Sequence, residues 1–109
     1  MFKVLSQPTF SHQVRVMVPV DGGHEEQTFR ATFRVLTESE AKKHDAKTGP
    51  GIRSFLRTAI VKLDELVGED GKELSYSDQL KDRLLDMPYV RIALLQTYSD
   101  AVSKAATGN

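Results

Sequence analysis

Two stretches of strict alternation near the N-terminus constrain this chain more than any other feature. Val14, Val16, Val18 and Val20 are separated by Arg15, Met17 and Pro19, and Phe29, Ala31, Phe33 and Val35 by Arg30, Thr32 and Arg34. A period of two, with branched and aromatic residues on one side, is the pattern of a strand that buries one face. Asp21-Gly22-Gly23-His24-Glu25-Glu26 between them is turn-rich, so the chain is expected to form an antiparallel hairpin over residues 13–36. Pairing Val20 with Gln27 sets Val18 opposite Phe29, Val16 opposite Ala31 and Val14 opposite Phe33, with the large apolar side chains all on one side. Pro19 has no N–H for a ladder, which makes the first strand an edge.

After the hairpin the period changes. Thr37-Glu38-Ser39-Glu40 has the spacing of a capping box and predicts a short helix. Thr48-Gly49-Pro50-Gly51 is expected to end that helix in a hinge or exposed loop. Phe55, Leu56, Ala59, Ile60, Leu63, Leu66 and Val67 then recur at three and four, the stripe of a helix packed on the sheet. Ser77 and Asp78 can cap a third helix with Leu80, Leu84 and Leu85 on its apolar face, and Pro88 interrupts it. Asp86 is placed to cap the restart. The last helix spans about residues 88–105, with a stripe at Val90, Leu94, Thr97, Tyr98, Ala101 and Ala105. The fold class is therefore α+β: one domain over residues 1–109, an N-terminal hairpin packed against three to four helices that fill residues 38–105.

Composition narrows the function. Fifteen basic residues balance fifteen acidic ones in a chain of 109, so no overall field draws it to nucleic acid or to anionic lipid. There is no cysteine, hence no disulfide, thiolate nucleophile or cysteine metal site, which fits a reducing cytoplasm. No segment has the roughly 18 apolar residues of a membrane span.

Chemistry is sparse. His12, His24 and His44 show neither HxH nor HExxH spacing, and no metal is expected. His44-Asp45 resembles a base with its orienter, but no serine stands in a strand-turn-helix elbow to be activated. Gly68-Glu69-Asp70-Gly71-Lys72 fails as a calcium loop, where Leu66, Gly68 and Ser77 would occupy ligand positions, and as a phosphate loop, where Lys72 is followed by Glu73. A tight turn at Asp70-Gly71 is the simple reading. Arg15, Arg30 and Arg34 share the outer face of the hairpin, and Arg53 and Arg57 a helix face, with no interleaved aromatics to stack bases. Neither a catalytic residue nor a cofactor site is expected.

What the sequence does offer is an apolar surplus on the last helix. Leu95, Val102 and Ile92 lie outside its main stripe and widen the apolar arc beyond what one core needs. Either the helix sits between sheet and helices, or it presents a surface to a partner, with Tyr89, Ile92, Leu95, Tyr98 and Val102 as the contact residues. On the second reading Leu95→Asp should weaken association and leave the fold intact.

Asp70-Gly71-Lys72-Glu73-Leu74-Ser75-Tyr76-Ser77, then Leu84-Leu85-Asp86-Met87-Pro88-Tyr89-Val90-Arg91, then Ala93-Leu94 and Tyr98 resemble the tail assembly chaperones of long-tailed bacteriophages. The hairpin followed by a short capped helix is similar to the same family. That resemblance implies a non-enzymatic protein of phage or prophage origin, working in the bacterial host cytoplasm during virion assembly. It would self-associate, coat the tape-measure protein and bring major tail tube subunits to it. It also implies that the sequence ending at Asn109 is the short form of a frameshifted pair, the longer form carrying a tube-binding extension. The alternatives are a small nucleic-acid-binding regulator and a tail component that stays in the virion.

Overall fold

The computed structural model describes residues 1–103. It is α+β: strands β1 (Thr9–Val20) and β2 (Gly23–Arg34), helices α1 (Glu38–Ala41) and α2 (Gly49–Ala59), strand β3 (Ile60–Asp64), then helices α3 (Asp78–Leu85) and α4 (Pro88–Ser103). The strands form one antiparallel sheet in the order β1-β2-β3. Val14, Val16, Phe29, Ala31, Phe33, Ile60 and Leu63 are buried on one face, where they meet Leu56 and Ala59 of α2, Leu85 of α3 and Val90, Leu94 and Tyr98 of α4. The opposite face carries Arg15, Arg30 and Lys62 into solvent. This is the arrangement expected of a sheet with one apolar face, which needs a single helical layer to cover it.

The hairpin register differs from the sequence expectation by four residues. Val20 pairs with Gly23, Val16 with Gln27 and Val14 with Phe29. Asp21 and Gly22 alone make the reversal, with Gly22 at φ +78°, a conformation that costs glycine nothing. The tight turn lets residues 23–26 join the ladder instead of remaining in a loop. Side chains alternate with a period of two, so a slide of four leaves the inward set unchanged. The extended tip projects past the helices, and Gly23 to Thr28 are exposed on both faces.

The residues read as a helix breaker open a helix. Thr48 caps α2, its hydroxyl accepting the Gly51 N–H at 3.0 Å. Pro50 sits in the first turn, where no N–H is required. Gly51 is needed there because a Cβ would overlap the Asp45 carbonyl.

The stripe that continued past Ala59 is a strand, so residues 38–105 are not wholly helical. Ile60 takes extended geometry (φ −78°, ψ 122°), and β3 pairs with β2 through Ala31–Leu63, Thr32–Lys62 and Phe33–Ile60, leaving Val61 as a bulge. The bulge restores Ile60 and Leu63 to the same face although they are three apart. That spacing also belongs to a helix, which is why periodicity alone misassigned it. Lys81 from α3 completes the end of α2: it is 8% exposed, and its ammonium donates to the carbonyls of Arg57 at 3.0 Å and Ile60 at 3.2 Å, satisfying groups the helix terminus leaves free.

Ser77 caps α3 as expected, accepting the Leu80 N–H at 3.1 Å. Asp86 does not cap α4. Its backbone closes α3, its carboxylate accepts from Arg53 at 3.2 Å, and the carbonyl of Met87 receives the first bonds of α4 from Val90 and Arg91. Ala105, the last residue of the sequence-derived stripe, lies outside the described residues. No helix among the described residues is long and apolar enough to cross a membrane.

Candidate protein-binding surface

Helix α4 is held at both ends of its buried arc. Arg91 donates to the Leu85 carbonyl at 2.8 Å and ties its first turn to α3. Toward its C-terminus Tyr98 enters a cluster of rings: Phe55 at 5.1 Å, Phe33 at 5.6 Å and Phe10 at 6.1 Å between centroids, separations at which tilted and edge-on aromatic pairs attract. Its hydroxyl accepts the buried Leu36 N–H at 2.9 Å.

These two anchors divide the five residues expected on a contact surface. Tyr98 is 6% exposed and belongs to the core, so it leaves the surface. Tyr89 and Leu95 are half-buried against that core. Ile92 and Val102 are 65% and 46% exposed. With about 100° between successive residues of a helix, Ile92, Leu95 and Val102 fall within about 80° and form one ridge, broken by the exposed Ser99. Tyr89 stands apart. Its hydroxyl approaches the Met87 sulfur at 3.6 Å, and its ring lines a groove of about 250 Å³ between the hairpin and the 65–67 turn, with Val16, Val18, Phe29, Leu66 and Met87.

The groove and one further apolar feature escaped sequence reasoning. Ahead of Pro8, Phe2, Val4 and Leu5 are 90%, 86% and 56% exposed. Large apolar residues outside any alternating or helical pattern were the available signal. The groove had none, because its walls come from both strands, the 65–67 turn and the α3–α4 junction.

Several surface arginines are already paired. Arg15, Arg34, Arg53 and Arg57 each face a carboxylate, at 3.5 Å from Glu26, 2.9 Å from Glu40, 3.2 Å from Asp86 and 3.2 Å from Asp82. Arginines already opposed by acids present little net field to a phosphate backbone. His44 Nδ1 lies 2.6 Å from the Ser54 hydroxyl, but Ser54 is mid-helix on an exposed face, with no strained elbow to present it. Among the described residues every buried side-chain nitrogen and oxygen has a hydrogen-bond partner, and no three His, Cys, Asp or Glu are grouped to hold a metal. Glu40 has its pKa held below the ordinary 4.5, chiefly by the hydrogen bond from Arg34 and then by the Thr37 backbone N–H. That pair closes the cap of α1. No family model matches this chain, and neither does any curated protein or solved structure.

Proposed function

We propose that this chain is a tail assembly chaperone of a long-tailed phage or prophage, which binds the tape-measure protein and recruits tail tube subunits without catalysing a reaction. The observation that carries the reading is the apolar ridge of α4, Ile92 and Val102 over Leu95, left on a molecule whose buried polar side-chain groups are already paired. The ridge is convex and suits a helical client better than a small molecule, since helices pack by laying apolar faces along one another. A long client with repeated apolar stripes could bind many copies, each weakly, and be covered by their sum. The resemblance over residues 70–98 supplies the identity of that client.

The test is to tag the protein, express it in a cell making the phage's late proteins, and identify by mass spectrometry what co-purifies. Recovery of tape-measure and tube proteins, with the chain missing from mature particles, supports the reading. Recovery of DNA-bound material, or persistence in purified virions, overturns it. Ile92→Asp combined with Val102→Asp is expected to reduce client recovery at least about tenfold with an unchanged circular dichroism spectrum. Leu95→Asp is a poor substitute, because Leu95 packs on the core and an aspartate there would disturb the fold.

A further inference from the structure

The exposed apolar residues before Pro8 and the groove beside Tyr89 are complementary, yet within one molecule they stay apart: Phe2 and Val4 remain almost fully exposed. Pro8 is fixed at the base of the hairpin, its carbonyl accepting the Val35 N–H at 2.9 Å. Phe2 stands six positions earlier, so even fully extended it lies no more than about 22 Å from Pro8. The groove begins at Val16, eight positions along β1 in the other direction, about 27 Å away at the usual rise of a strand. Val4 and Leu5 fall shorter still.

We propose that the segment before Pro8 is an exchange arm: Phe2, Val4 and Leu5 of one copy enter the groove of a second copy, between the hairpin and the 65–67 turn. The groove, at about 250 Å³, is below the roughly 300–1,000 Å³ of small-molecule sites and is sized for side chains. Its walls, Val16, Val18, Phe29, Leu66, Leu84 and Met87, are apolar like the arm. Charge agrees as well. The arm's charged side chain is Lys3, and the groove's is Glu65, an exposed residue of its lining. A contact between two different surfaces of the same chain passes from copy to copy, closing as a reciprocal pair or ring or continuing as a filament. The pairing needs no client, and it gives the self-association implied by the chaperone reading a specific contact whose test does not depend on that client.

Light scattering of size-fractionated protein at about 100 µM tests it. The full chain is expected to run at twice the monomer mass or more. A variant lacking residues 2–5, with its groove intact, should be monomeric, as should Val67→Asp with Glu65→Lys, whose arm is intact. Both changes lie on exposed residues, and circular dichroism confirms folding. Mixed in equal amounts, the two variants should form a 1:1 complex of twice the monomer mass, one supplying the arm and the other the groove. Lys3→Glu should lose assembly and regain it when combined with Glu65→Lys. A monomeric full chain, an assembled arm deletion, or a mixture that stays monomeric would each overturn the proposal.

Discussion

Tyr98 has two roles that its sequence position alone does not separate. On a helical wheel it sits at the margin between the core stripe and the outer arc, so it belongs equally to an apolar core and to a partner surface. What settles its place is remote: Phe10 from before the predicted strand, Phe33 from β2, Phe55 from α2, and the buried backbone N–H of Leu36, which donates to the Tyr98 hydroxyl. Tyr98→Phe keeps the ring contacts and removes the acceptor, so the buried Leu36 N–H is left unpaired. The expected cost is about 1–3 kcal/mol of unfolding free energy, read from urea denaturation. A cost near zero would mean that water reaches Leu36. Ile92 and Val102, by contrast, were readable from helical spacing alone: they fall outside the core stripe and are exposed.

Helix α1 shows local sequence rules at full strength. Thr37 and Glu40 each satisfy a backbone N–H of the other, at 3.2 and 3.1 Å, and Arg34 reaches from β2 to the same carboxylate. A carboxylate whose pKa is lowered on folding stabilises the fold fully above its unfolded pKa and loses that contribution as pH falls through the lower, folded value. Glu40→Gln should therefore be less stable than the parent near pH 7, and the two melting temperatures should converge as pH is lowered below 4.5. Parallel curves across that range would refute the assignment. Strand β3 shows where local rules stop. Thr37 finds its partner three residues away, whereas β3 is set by β2, some thirty residues earlier, and by a bulge at Val61 that imitates helical spacing. The hairpin register was misread for a local reason: Asp21-Gly22 was available as a two-residue turn, and the six-residue loop left ladder bonds unmade. Parity preserved the buried face in spite of that error.

The chain as a whole is stabilised by contacts between its two halves. A two-stranded hairpin is marginal in water, and here its buried face is closed by Leu63 of β3 and by Val90, Leu94 and Tyr98 of α4. A version ending at residue 87 should lose its cooperative thermal transition and, because helices of 11 and 8 residues are marginal without packing, most of its helical circular dichroism signal. A sharp transition in that fragment would show that hairpin, α2 and α3 form a core unaided. The molecule measures 46 × 29 × 28 Å, elongated along one axis, and the hairpin tip is exposed on both faces. Asp21 and Gly22 are exposed there, and a Cβ built on either Gly22 or Gly23 meets nothing within 4 Å. The exposed tip is thus a natural site for insertion: a peptide tag or fluorophore-bearing loop placed between Asp21 and Gly22 would ride on the hairpin without filling a core position, and, a few residues from the Val18 wall of the groove, it would sense the arrival of an arm there.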